Sequence, residues 1–428
     1  MIKILQLILI NLIFLNTSFA SKVDCNKAPP DDRKICLSMA KAREYNKEDE
    51  KAKETAKFAA FSEMKKRGDY DYMARIHRDA FEAGKWHSGP AFNLVHKEML
   101  KRVEIMLRKS NQNASLSYWD PTLESPLQVP ADSILFTELF LGSTDANGYV
   151  VTGAFKDWKT LEGNPHITRN LGQEGRCLHE NDIQWILSQT KIENVLAYIF
   201  PDKGCPFDVN WKWPEYLHGK VHSFISGDML SVDTSCNDVA FMFFHCFMAN
   251  IFELWRQKQQ TREERATIYP KDIAACAPPS HFRDAEMYLF EPLKNCDGLR
   301  NEYTDNMYEY APRPTCTATT DCGSKYLFCD RLPSTPRCVA KVRLGGNCKG
   351  FNKEADICYE GICVNNVCIE QKNRNEQNIK QTNTPNITLK NKEKLNKTTC
   401  LPKITELTTT IKTKECKNPS KTTAVAEL

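Results

Sequence analysis

The sequence predicts a mainly α-helical domain, then a small disulfide-stapled module, then a disordered tail. Three observations carry that prediction. Residues Leu37 to Arg67 contain neither Gly nor Pro and are rich in Ala, Glu and Lys, which favours a long helix. Eight cysteines fall between Cys316 and Cys368, with a Gly345-Gly346 turn and few long apolar runs. Beyond Gln371 the chain is rich in Asn, Lys and Thr and has no aromatic residue, so it cannot bury a core.

The elements follow in order. Lys3 supplies a positive start, Ile4 to Leu15 an apolar core and Ser18-Phe19-Ala20 a small-x-small site, the pattern of a secretory signal over residues 1–20. An uncleaved anchor is the alternative, but the apolar run is short for a membrane span. Gly68 ends the first helix. Asp69 is placed to cap a second helix that runs to Ala83 and stops at Gly84. Ser88-Gly89-Pro90 opens a third, reaching about Lys109. The next hundred or so residues are rich in Pro, Gly and Asp and read as loops with short elements. Helical pattern returns at Glu215–Ile225 and Asp238–Arg265. The expected divisions are a signal at 1–20, a helical domain at 21–314, the disulfide-rich module at 315–370 and the tail at 371–428.

Eighteen cysteines, all after the signal, point to an oxidising compartment and permit full pairing. Asn113-Ala-Ser115, Asn386-Ile-Thr388 and Asn396-Lys-Thr398 are glycan acceptor sequences. A secreted chain without a stable membrane anchor is therefore expected. The formal charge of +4 resides in the tail, where from Gln371 on twelve Lys/Arg stand against five Asp/Glu. The folded part is net negative, which argues against nucleic acid as a partner.

Six of the nine histidines form two groups of three: His77, His87, His96 and His218, His222, His245. His96 shares a helical face with Phe92, Leu100, Val103 and Leu107, and His245 lies on the stripe Phe241, Met248, Phe252, Trp255. His218 and His222 are one turn apart and project from one side. These rings face a core. A single core histidine needs no special explanation, but six neutral imidazoles need partners for every ring nitrogen, and a metal satisfies many at once. Imidazole suits Cu, Zn, Fe and Ni alike. His218-Gly-Lys-Val-His222 has the spacing of a zinc protease but lacks the Glu that would act as its general base, and no Gly-x-Ser-x-Gly elbow is present.

Together these residues resemble the tyrosinase, catechol oxidase and haemocyanin family, which holds a type 3 dicopper centre. His87-Ser-Gly-Pro-Ala-Phe-Asn-Leu-Val-His96 carries the first half, and Leu116-Ser-Tyr-Trp-Asp120 is similar to the family's Pro-Tyr-Trp-Asp turn. The second half is His218-Gly-Lys-Val-His222, Gly227-Asp-Met229, Asn237-Asp238 and Phe241-Met-Phe-Phe-His245, with Tyr308-Glu-Tyr310 closing the domain. The Asp132-Ser-Ile-Leu-Phe136 segment and the cysteine-rich continuation look most like tyrosinase-like proteins of nematodes. The resemblance implies a four-helix bundle holding two copper ions, one on His77, His87 and His96, the other on His218, His222 and His245, with Phe241 beside the rings. It implies O2 and a small phenol or catechol, or a protein-bound tyrosine, as reactants. No side-chain nucleophile is implied beyond the copper ligands. The expected function is a secreted copper oxidase making quinones for tanning or pigmentation. The alternative is an O2-binding or catalytically degenerate copper protein with a structural role.

The surroundings depart from the family's pattern. The usual His-His at the third ligand of the second copper is Phe244-His245, the following Asp and Arg are Ala249 and Asn250, and Trp-His-Arg of the first site reads Val95-His96-Lys97. Groups behind metal ligands fix imidazole orientation, so such changes weaken affinity or turnover. Gly219 stands where efficient monophenol hydroxylases of the family carry Asn, which favours diphenol oxidation. Lys85 and Trp86 leave no cysteine to cross-link the second ligand, and a disulfide is expected for Cys246. His166, His179 and His281 are expected to be structural.

Overall fold

The computed structural model describes residues 8–9, 50–352 and 354–371. Most of the expected signal, residues 37–49 of the expected first helix, the tail from residue 372, Asn386, Asn396, Cys25, Cys36, Cys400 and Cys416 lie outside the described residues. Seven α-helices are described: α1 (Glu50–Lys66), α2 (Asp69–Glu82), α3 (Phe92–Ser110), α4 (Glu180–Ser188), α5 (Pro214–Ile225), α6 (Ala240–Gln259) and α7 (Arg262–Thr267). The mainly α expectation holds.

Helix α3 packs most extensively on α6, α4 leans on α6, and α1 lies across α2 and α3. The contacts follow from apolar residues at helical spacing. Phe58, Phe61 and Met64 of α1 are buried, and Phe61 meets Phe243 of α6 edge to face at 5.3 Å. Buried on α3 are Phe92, Leu100, Val103 and Leu107, and on α6 Phe241, Met248, Phe252 and Trp255, as their stripes predict.

Three boundaries differ from expectation. Gly68, not Asp69, occupies the cap position of α2, at φ 77°, which glycine adopts without a Cβ penalty. Helix α3 begins at Phe92 and not at Ser88, because Ser88 has φ 72° and cannot be helical. The expected helix over Asp238–Arg265 breaks at Gln260–Thr261, where Thr261 and Glu264 form a capping box that starts α7.

Between the helices the chain is short 3₁₀ turns tied down by buried polar contacts. Trp119 donates its backbone N–H to Phe243 O at 2.9 Å and its indole N–H to Glu124 at 2.8 Å. Asp120 accepts from Thr122 and from Arg313 at 2.7 Å, so this turn links α6 to the end of the domain. Arg169, fully buried, pairs with both oxygens of Asp238 at 2.6 and 2.8 Å. Asp238 in turn accepts from Ala240 N at the start of α6.

The cysteine-rich segment is two hairpins, β1 (Leu327–Asp330) with β2 (Arg337–Ala340), and β3 (Gly361–Val364) with β4 (Val367–Glu370). Each is stapled by two interleaved disulfides: Cys316–Cys329 with Cys322–Cys338, and Cys348–Cys363 with Cys358–Cys368. The first hairpin docks on residues 123–140, where Ala340 N donates to Leu123 O and Ile134 N to Lys341 O. Arg343 pairs with Asp132 at 2.9 Å, and Phe140 meets Tyr326 at 4.9 Å. Cys205–Cys276 staples the helical part. Among the described residues pairing is incomplete, and Cys177, Cys236, Cys246 and Cys296 are free thiols. The expected disulfide at Cys246 is thus corrected, since the thiol lies buried beside Lys97, Glu104, Leu116 and Tyr308. Among the described residues no helix is long and apolar enough to cross a membrane.

Candidate metal centre

Five of the six candidate ligands project from helices. His77 projects from α2 on the face that buries Tyr70, Met73, Ala74 and Ala80, and His96 from the first turns of α3. His87 sits in the turn between them. His218 and His222 lie one turn apart on α5, and His245 projects from α6. Within each triad one nitrogen from every ring lies within 4.8 Å of the others. The sequence-predicted site residues are therefore brought together as two groups, and the groups adjoin: His96 and His245 stack at 4.4 Å, 23° apart.

Backbone carbonyls set the ring orientations. Nδ1–H of His96 donates to Phe92 O at 2.7 Å, and that of His222 to Met229 O at 2.7 Å. Nδ1 of His218 is 3.3 Å from Glu215 O. A proton held on Nδ1 leaves Nε2 with its lone pair free to face a metal. The carbonyl of Met229 is placed by Gly227, where an added Cβ would stand 2.2 Å from Thr168 O. Asp228 fixes the same turn by accepting from Thr168 N and from Asn237.

The donor set fits a metal. In the second triad, His245 Nε2 lies 2.9 Å from His218 Nε2 and 3.2 Å from His222 Nε2. Two nitrogens bound to one ion at about 2.0–2.1 Å would stand about 3 Å apart. In the first triad, Nδ1 of His87 and Nε2 of His96 are buried without a hydrogen-bond partner. Buried polar atoms without partners are costly, and an ion would satisfy them together. Burial pushes the His96 imidazole down to about 3, against an opposing pull from its bond to Phe92 O. Burial likewise pushes His222 down to about 4, and holds His77, His87, His218 and His245 well below the ordinary histidine range. Neutral imidazole is the ligating form.

Aromatic rings close the site. Phe241 stacks on His245 at 3.9 Å and meets His77 at 4.8 Å, as expected. Phe92 touches both halves, 4.7 Å from His96 and 4.8 Å from His218. Phe244, in place of a histidine, lies parallel to His218 at 5.5 Å. Lys97 is buried with its ammonium 4.2 Å above the Tyr303 ring and without an acceptor; burial pushes it down to about 7. Nothing lies within 4 Å of where a Cβ on Gly219 would stand.

Some residues escaped sequence reasoning. Glu215 is half-buried, desolvation raises its pKa to about 8, and it accepts from Ser88 N at 2.6 Å, tying α5 to the His87 turn. Trp86 packs 5.8 Å from His96 and 6.1 Å from His77. His281 is buried against the same turn. Of the three histidines expected to be structural, His166 bonds Lys156 O and His179 begins α4.

Residues 67–258 match the family model of the common central domain of tyrosinase. The chain is 45% identical over 310 residues to a tyrosinase-like protein of Caenorhabditis elegans, across 72% of this chain and 44% of that relative. It is 30% identical over 290 residues to tyrosinase-like protein 1 of Margaritifera margaritifera, across 64% of this chain and 54% of the relative. The chain thus spans about half the length of these curated relatives. Among solved structures, a polyphenol oxidase from Thermothelomyces thermophila is similar at TM-score 0.43 and 20% identity, over 57% of this chain and 78% of that one. With the family-model match and two histidine triads able to bind the two copper ions of a type 3 centre, residues 67–258 form a central domain of the tyrosinase family.

Proposed function

We propose that the protein is a secreted oxidase that uses O2 to convert o-diphenols to quinones at a dicopper centre held by His77, His87, His96, His218, His222 and His245. The convergence of the two triads, joined through the stacked pair His96 and His245, is the observation that carries this reading. Copper bound there supplies the redox chemistry, in which two catechols and one O2 give two quinones and two waters. The protein's part is to hold six neutral imidazoles with Nε2 presented, to exclude water with Phe92, Phe241 and Phe244, and to leave an approach beside His87, the half-buried ligand.

Diphenols are favoured over monophenols as substrates because Gly219 offers no side chain to move a proton from a phenol. Export is supported by the signal-like residues 1–20 and by five disulfides, which persist in oxidising compartments. The quinones would serve tanning or pigmentation. A second reading, an O2-binding or catalytically degenerate copper protein, draws on the unpaired Lys97, on Phe244 beside His218 and on Ala249 four residues after His245.

The test is to load the purified protein with copper and follow O2 uptake with a catechol and with its monophenol. Catechol oxidation faster than monophenol hydroxylation is expected. Bound copper with no uptake on either substrate would favour the second reading, and comparable rates on both would overturn the diphenol preference.

A further inference from the structure

His87 is the one candidate ligand that no helix holds. Its turn has two non-glycine residues in the left-handed region, Trp86 at φ 65° and Ser88 at φ 72°. Such a turn persists only where its surroundings over-determine it. One support is Glu215, which accepts from Ser88 N at 2.6 Å. The other is His281, distant in sequence and outside both triads.

The His281 ring is so close to Gly89 that a Cβ there would stand 2.8 Å from its Cγ and Nδ1. Its Nδ1 accepts the backbone N–H of Ala91, at 3.3 Å, the residue just before α3 begins. The ring also lies within hydrogen-bonding reach of the His87 backbone, and its Nε2 is buried without a hydrogen-bond partner. The residue is 1% exposed. Its own turn is fixed in several places: Tyr269 donates to His281 O at 2.7 Å, and Asn295 donates to Ser280 O and Phe282 O at 2.8 and 2.9 Å. A histidine serving only to fill space would not need so firm a mounting or a hydrogen bond into the ligand turn.

We propose that His281 is a positioning residue for the first copper, its ring and Nδ1 holding the Gly89–Ala91 backbone so that His87 reaches His77 and His96. This rests on the reading of those three histidines as copper ligands. The contact also gives Gly89 its role: its φ is ordinary, so what excludes a side chain there is the His281 ring and not backbone conformation. Losing groups that orient metal ligands typically weakens metal affinity about 10–100-fold.

Three variants of the full chain test this: His281→Phe keeps a ring without the acceptor, His281→Asn places an amide oxygen near Nδ1, and Gly89→Ala drives a methyl into the ring. Copper per chain and the affinity of each site are measured by chelator competition, with the copper on His218, His222 and His245 as internal control for folding. His281→Phe and Gly89→Ala should keep the second copper at wild-type affinity and hold the first about 10–100-fold more weakly. His281→Asn should restore it. Wild-type affinity at both sites in His281→Phe would overturn the proposal, as would equal weakening of both sites by all three variants. If the His281 variants fail to fold, Gly89→Ala decides, and wild-type first-site affinity in it overturns the proposal. A wild-type chain that binds no copper would instead overturn the ligand assignment itself.

Discussion

The buried pair Arg169–Asp238 offers a quantitative check on how the second triad is held. Both side chains are fully buried, the guanidinium meets both carboxylate oxygens at 2.6 and 2.8 Å, and Arg169 also donates to Leu141 O at 3.0 Å. Asp238 sits two residues before α6 and accepts from Ala240 N at 2.9 Å, so the pair anchors the helix start, and His245 follows in the second turn. Arg169→Met leaves a buried carboxylate with its cation gone, and Asp238→Leu leaves a buried guanidinium with no anion. Breaking such a pair costs about 3–5 kcal/mol. With an unfolding entropy of about 2 cal/mol/K per residue, a domain of this size should lose about 5–8 °C in Tm for either change. Removing both charges should cost less than the sum, because no unpaired charge remains. The assay is calorimetry of the copper-free wild type, both single variants and the double variant. Single losses below about 1 kcal/mol, or a double loss equal to the sum of the singles, would refute the reasoning.

Gly219→Asn should raise monophenol hydroxylation relative to catechol oxidation, since the space beside Gly219 is open; an unchanged rate ratio, measured on matched substrates, would remove Gly219 as the reason for diphenol preference. The copper-free protein should be acid-labile: His96 and His222, near 3 and 4 in the fold and near 6.5 when unfolded, bind protons first in the unfolded chain. Stability is then lost as pH falls below 6.5, by about 2 kcal/mol for each of the two between pH 7 and 5, and denaturant melts at the two pH values check it. Thiol labelling should find Cys177, Cys236 and Cys246 protected in the native protein and reactive in denaturant, with Cys296 reacting first because it is half-exposed; a protected Cys296 or a native-reactive Cys246 would count against the described packing.

The centre was legible because helical spacing is written in the residues themselves. His96 and His245 lie on stripes of apolar neighbours, and both stripes are buried. His218 and His222 needed only their one-turn separation. The break at Thr261 was also written, as Thr and Glu three apart, but an unbroken run of polar helix formers masked it. Disulfide pairing could not be read, because spacing does not encode which thiols meet; Cys246 is buried as a free thiol. Neither Glu215 nor His281 carries a local signal. Each acts on the His87 turn from over a hundred residues away, through contacts that only the fold creates.

If the two triads hold one copper each, copper per chain after loading and desalting reads that stoichiometry directly. The wild type should retain two ions, and His218→Asn combined with His222→Asn should retain one. Fewer than two in the wild type, or two in the variant, would mean that the triads do not hold one copper each.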